Sequence, residues 1–263
     1  MAVESIPDDD AAVIRYRRLR IGNLALAALH AAQVVALLAL TTDFRIPITE
    51  TFQQGPPGSL PPAPEVLWDL PLGVAVAAFL AMAAVDHVVV ALPRVHRWYE
   101  DRLAHGINPA RWVEYSFSAS LMVVLIALLV GITEPVALIP IVGANVAMIL
   151  LGWQMERSNP PDRERTDWVP FLFGCLVGIV PWIAIAVAVI GAESGSGDVP
   201  GFVYGILVSL FVLFFSFAVN QWLQYRRIGA WRDYLVGEWT YLVLSLVAKS
   251  LLAWQVFANV LVL

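Results

Sequence analysis

Polar residues in this chain arrive in short bursts, separated by long apolar runs. A helix crosses a bilayer with about twenty mostly apolar residues. Seven runs meet that length, at roughly 19–41, 66–92, 110–133, 135–155, 169–190, 200–224 and 238–262. The connections between them are short except for 42–65, where Gly55-Pro-Pro-Gly58 and Pro61-Pro62 predict a turn-rich loop with room for a small hairpin. No inverted repeat of the transporter kind is visible. The pattern predicts an all-α membrane protein, a single seven-helix transmembrane domain over 1–263 with a long loop at about 42–65.

Composition agrees with that reading. Hydrophobic residues make up 59% of the chain and charged residues only 14%, which excludes an ordinary soluble enzyme domain. Cys175 is the one cysteine, so no internal disulfide can form, and its place in an apolar run predicts core packing. The N-terminus opens with Glu4, Asp8, Asp9 and Asp10, and the first run is too long for the apolar part of a cleavable leader.

Charge placement predicts orientation. Arg15, Arg17, Arg18 and Arg20 precede the first run. Arg94, Arg97, Arg102 and Arg111 follow the second, Arg157, Arg163 and Arg165 the fourth, and Arg226, Arg227 and Arg232 the sixth. In a seven-span protein these fourteen of the sixteen basic residues share one side. Arg45 lies opposite, and Lys249 lies in the membrane. The positive-inside rule then puts the N-terminus in the cytoplasm and the C-terminus outside.

The candidate chemistry sits on the few charges inside the apolar runs. Lys249 is the only lysine and lies in the middle of the last run. An ammonium at mid-depth costs about 2.5–3.5 kcal/mol on insertion scales. Three readings account for it: snorkelling, an ion pair, or a covalent bond such as a Schiff base. Glu114, in Arg111-Trp-Val-Glu114, is the only carboxylate clearly inside an apolar run, and either Arg111 or Lys249 could pair with it. Turn counting puts Glu114 about 5–9 Å shallower than Lys249, a gap that a lysine side chain can largely close. Ser118 shares the face of Glu114, and Ser245 lies one turn before Lys249. His30 and His87 sit in the first and second runs, with Asp86 beside His87 near a boundary. Asn145, Gly152, Gly174, Gly178 and Trp182, with Phe211, Phe214 and Phe215, would suit a slot for a flat apolar ligand, or else ordinary packing.

Seven spans with a lone lysine in the last resemble retinal-binding rhodopsins. Arg111-Trp-Val-Glu-Tyr-Ser116, Phe173-Gly-Cys175, Gly178-Ile-Val-Pro-Trp182, Pro200-Gly-Phe-Val-Tyr-Gly205 and Leu244-Ser-Leu-Val-Ala-Lys-Ser250 with Ala253-Trp-Gln255 resemble the heliorhodopsin family over nearly the whole chain. The resemblance implies all-trans retinal on Lys249 as a protonated Schiff base, with Glu114 as counterion and Ser245 as hydrogen-bonding neighbour. It implies a polar cluster of His30 and His87 on the cytoplasmic side. Ser118, Met122, Asn145, Ile149, Gly152, Trp182, Phe214 and Gln221 would line or border the pocket. Ala83, Asp86 and Phe215 depart from the family pattern, which puts the hydrogen-bond network and the colour in question. The implied function is light sensing in the cell membrane, with no enzymatic activity and no nucleic-acid partner. A homodimer in the lipid bilayer and a cytoplasmic signalling partner are implied with it. A light-driven pump or channel, and a transporter that uses a Lys249–Glu114 pair without pigment, remain open as alternatives.

Overall fold

A computed structural model describes residues 9–195 and 199–262, with side chains from residue 13 onward. The acidic residues Glu4 and Asp8 lie outside the described residues. Seven helical segments in it are long and apolar enough to cross a membrane. The chain runs through α1 (Asp9–Leu40), a hairpin of β1 (Arg45–Glu50) and β2 (Glu65–Pro71), α2 (Leu72–Ala91), α3 (Pro93–Ala104), α4 (Pro109–Leu129) and α5 (Pro135–Ser158). It continues through α6 (Val169–Gly178), α7 (Val180–Ser194), α8 (Gly201–Tyr225), a 3₁₀ turn at Gly229–Arg232 and α9 (Tyr234–Val256), closing with a π turn at Phe257–Leu261. Helix α1 packs on α2, α2 on α4, α4 on α5 and α5 on α6, while α8 packs on α9 and α9 returns to α1 and α2.

Two boundaries differ from the hydropathy reading. Residues 66–71 belong to β2 and not to the second span, because the hairpin extends back to the helix and pairs Arg45 with Pro71 and Ile48 with Trp68. The connection after α2 is not a plain loop. Leu92 precedes a proline, which disfavours helical backbone, and it stands extended at φ −63° and ψ 138°. Pro93 then starts α3, a short amphipathic helix. His96, Tyr99 and Leu103 are its buried face, and Arg94 and Arg97 face out. That face packs with Leu19, Val90 and Leu235. Hydropathy missed α3 because its polar outer face dilutes the apolar stripe.

The fifth span is one path in two pieces. Pro181 cannot donate to the carbonyl four residues back, and the helix breaks between Gly178 and Val180. Gly178 sits against α5, where an added Cβ would lie 2.4 Å from Met148 Sδ. Helix α4 starts at a defined cap: Asn108 Oδ1 accepts from the Arg111 N–H at 3.1 Å, and Pro109 takes the first position. The largest core cluster fills the half of the bundle nearest the hairpin, with Leu72, Val76, Phe79, Leu80, Leu125, Ile126, Leu252 and Val256 among its members. Cys175 corrects the core-packing expectation: it is exposed, and it borders a cavity enclosed by α4, α5, α6, α8 and α9.

Candidate functional site

Helices α4 and α9 each bury one polar stripe. On α4 the stripe is Arg111, Glu114 and Ser118; on α9 it is Glu238, Ser245 and Lys249. Their spacings of three, four and seven residues keep each set on one helical face. The structure brings the two faces together. Lys249 Nζ donates to Glu114 Oε1 at 3.0 Å and Oε2 at 3.1 Å, and to Ser245 Oγ at 2.9 Å. The ammonium also lies 5.1 Å from the Tyr115 ring centroid. The lysine side chain is only 3% exposed and that of Glu114 5%, so the charges compensate each other without bulk water. Snorkelling is thereby replaced by pairing, and Arg111 is not the partner of Glu114.

Arg111 is engaged elsewhere. Its guanidinium bonds the carboxylates of both Glu156 on α5 and Glu238 on α9. It stacks 3.9 Å from the Tyr241 ring centroid and 4.6 Å from that of Trp112. Glu156 also accepts from Trp112 Nε1 at 2.6 Å, the Asn108 N–H at 2.9 Å and Tyr234 Oη at 3.0 Å. Asn108 Nδ2 donates to Glu238 at 2.7 Å and reaches Tyr99 Oη on α3 at 3.4 Å. Burial and the nearby Glu238 carboxylate push the Tyr99 phenol above its ordinary range, so it stays protonated. Glu114 is therefore not alone among carboxylates in the bundle. Glu156 and Glu238 are each 1% exposed. They fall at run boundaries in the sequence, where a carboxylate reads as solvated. The findable signal was the shared stripe of Glu238, Ser245 and Lys249 on α9, and of Asn145, Ile149, Gly152 and Glu156 on α5.

A cavity of about 130 Å³ opens beside Lys249 on its other side. Ser118, Met122, Ile149, Gly152, Phe214, Gln221, Ser245 and Lys249 line it, as do Trp112, Tyr115, Phe217 and Tyr241, which the sequence did not single out. Gly152 matters by close approach: a Cβ there would stand 2.6 Å from the Trp112 ring. Gln221 Nε2 donates to the Gly152 carbonyl at 3.0 Å. Ser118 Oγ is buried here with no protein partner. Of the pocket residues implied by the resemblance, Asn145 and Trp182 do not line the cavity. Asn145 donates to Ser120 Oγ at 3.0 Å, and Trp182 stands one layer out, edge-on to Phe214 at 5.5 Å between centroids. Phe211 and Phe215 are exposed, so the three phenylalanines do not act as one wall.

A smaller polar cavity of about 20 Å³ lies behind Glu114, bordered by Asn23, Asp86, His87, Tyr99, Arg111 and Glu238. Here the rings of His30 and His87 stack at 5.7 Å with 6° between planes, and His87 Nδ1 is bonded to Asn23 Oδ1 at 2.8 Å. His30 is fully buried, and neither of its ring nitrogens has a protein partner. Asp86 is half-buried at the edge of this cavity. Among the described residues no group of histidines, cysteines and carboxylates could hold a metal ion.

An apolar cavity with a paired amine on one wall fits an elongated apolar group that carries an aldehyde. The aldehyde would meet Nζ, and the chain would lie against Trp112, Met122, Ile149 and Phe214, with the Trp112 ring seated on Gly152. Comparison with known proteins agrees in kind. A family model described as heliorhodopsin matches residues 19–261. The rhodopsin CsR of Coccomyxa subellipsoidea, a light-driven proton pump, superposes with a TM-score of 0.61 at 21% identity, over 91% of this chain and 96% of that one. Halorhodopsin, a light-driven chloride pump, gives 0.61 at 15% identity, over 92% and 95%. The transmembrane domain of the Salpingoeca rosetta rhodopsin phosphodiesterase gives 0.64 at 12% identity, over 95% and 88%. No curated protein matches by sequence.

Proposed function

Because the chain belongs to the heliorhodopsin family, and so to the retinal-binding, multi-pass membrane rhodopsins, we propose that it is a light sensor that holds all-trans retinal on Lys249 and does not pump ions. The observation that carries the assignment is the Lys249–Glu114 pair at 3.0 Å on the wall of an apolar cavity. The bound chromophore would supply visible absorption and a light-driven change of shape. The residues supply the rest. Lys249 is the only side-chain primary amine in the chain, so attachment has one address. Glu114 offers both oxygens to that nitrogen and would compensate the positive charge of the linkage. Ser245 orients the nitrogen. The stacked rings of His30 and His87, with Asn23 bonded to His87, form a buried polar group whose imidazole nitrogens could take up a displaced proton.

The sensor reading, as against a pump, rests on the other half of the bundle. Net pumping needs a path for a proton or ion on both sides of the nitrogen. Towards the hairpin, the interior is Met122, Leu125, Ile126, Leu252 and Val256; among the described residues the one buried charge on that side is Glu50, at the hairpin itself, which accepts from the N–H groups of Thr51 and Val136. In the orientation proposed from the arginines, with the N-terminus cytoplasmic, that seal faces outward. Cells expressing the protein are expected to show no sustained, uncoupler-sensitive pH change under illumination. A steady light-driven change would favour the pump. An epitope tag after Leu263 is expected to be labelled on intact cells, and a tag before Met1 only after permeabilisation. Homodimerisation and a cytoplasmic signalling partner are part of the same proposal.

A further inference from the structure

On the face of the bundle that carries the N-terminus of α1, a separate cavity of about 430 Å³ lies between the ends of α5 and α8 and the start of α9. Its lining includes Arg163, Arg227 and Arg232 together with Tyr225, Trp231 and Tyr234. No described carboxylate lies within ion-pair distance of any of the three guanidinium groups, although other arginines on this face, such as Arg15 and Arg102, have such partners.

Neutral acceptors hold the arginines in place. Arg163 donates to Thr166 Oγ1 at 3.1 Å and to the carbonyls of Pro160 at 3.1 Å and Tyr225 at 3.4 Å, and it stacks 4.8 Å from the Tyr225 ring centroid. Arg227 gives one donor to the Pro161 carbonyl at 2.6 Å, and Arg232 gives Nε to the Arg227 carbonyl at 3.3 Å. A guanidinium has five N–H donors. Most of those on Arg227 and Arg232 are therefore free, and both side chains are exposed. Arg227 itself sits at φ 54°, a left-handed conformation uncommon for a non-glycine residue. Burial and the neighbouring Arg227 charge hold Arg163 below its ordinary range. Asp162 is adjacent but exposed, and Asp233 is committed to Arg15.

Like charges held together by carbonyls, without an anion of their own, make a preorganised anion site. Forked guanidinium donors match phosphate oxygens, and the three aromatic residues offer a wall for a flat or apolar remainder. We propose that this cavity binds a phosphate-bearing anion, either a soluble phosphate ester or a phospholipid headgroup, since both present the same chemistry at the end of a membrane helix. The site does not depend on the chromophore and should bind in protein prepared without retinal.

The test is calorimetric titration of the full-length protein with two probes: ADP, for the protein in detergent, and dioctanoyl phosphatidic acid in lipid nanodiscs, against phosphatidylcholine nanodiscs as blank. Saturable binding of at least one probe is expected. Saturation by ADP assigns a soluble ligand, and saturation by phosphatidic acid alone assigns a lipid. The Arg163→Gln, Arg227→Gln double variant should weaken binding by about tenfold or more. Arg163 also ties its loop to α8, so Arg232→Gln, which loses one exposed charge, serves as the variant that must still fold, with a loss of about threefold or more expected. Arg94→Gln with Arg97→Gln, on the outer face of α3, should leave affinity unchanged. The proposal is overturned if neither probe saturates, or if the α3 variant weakens binding as much as the pocket variants do.

Discussion

The two halves of this bundle are built on different principles. Towards the hairpin, helices meet mainly through hydrocarbon: Phe79, Leu80, Leu125, Ile126 and Leu252 are essentially without exposure, and the polar links between helices are neutral ones such as Trp254 to Gln33 and Gln255 to Ser209. Towards the N-terminus of α1, the same helices meet through charge. Arg111 clamps Glu156 and Glu238, and Lys249 meets Glu114 at the boundary between the two halves. Within the charged half, the two clusters also differ. The Arg111 cluster is over-determined, with Trp112, Tyr234 and Asn108 adding hydrogen bonds to its carboxylates. The Lys249 pair has one further hydrogen-bond partner, Ser245, with the Tyr115 ring nearby and an apolar cavity at its side. A cluster with every acceptor engaged holds helices together. A pair with few other partners, next to open space, is available for chemistry.

That contrast can be broken at its strong end first. Arg111→Gln leaves two carboxylates buried together, and losing one partner of a buried ion cluster costs about 3–5 kcal/mol. The variant is expected to unfold at markedly lower temperature, measured by circular dichroism in detergent. Wild-type stability would show that the cluster is not the clamp. Glu238→Gln keeps Arg111 paired with Glu156 and should cost clearly less. At the available end, Glu114→Gln should leave the fold intact but change the pigment. The pH at which visible colour is lost is expected to fall by one unit or more, each unit being about 1.4 kcal/mol of lost charge stabilisation, and added halide should partly reverse the change. An unchanged spectral titration would move the counterion role to Asp86. The smallest effect is expected for Ser245→Ala. It removes one hydrogen bond worth about 1 kcal/mol, giving a small spectral shift without loss of colour.

Much of this was legible in the chain because a bilayer demands long apolar helices and tolerates few charges inside them. Seven spans could be counted, and the unusual lysine stood out. A turn-rich loop with room for a hairpin was readable at 42–65, but the second strand, Glu65–Pro71, lies almost wholly in what hydropathy assigned to the second span. Amphipathic α3 was hidden because it lies at the membrane boundary and buries only His96, Tyr99 and Leu103. Glu156 and Glu238 were hidden for a related reason. Hydropathy places the end of a span where charge begins, whereas here the charge turns inward and is satisfied by Arg111. Trp182 borders the cavity and does not line it, a distinction the sequence could not make because composition marks aromatic residues but not which ring faces inward. Phe214 faces it, and Trp182 backs Phe214.

The central claim is that Lys249 is the retinal attachment point. The most direct measurement is the visible absorption spectrum of Lys249→Ala beside the wild-type protein, each expressed with all-trans retinal and checked for helical content. The account predicts a visible band in the wild-type protein and a folded but colourless variant. A visible pigment in Lys249→Ala, or no pigment in a well-folded wild-type protein, would contradict it.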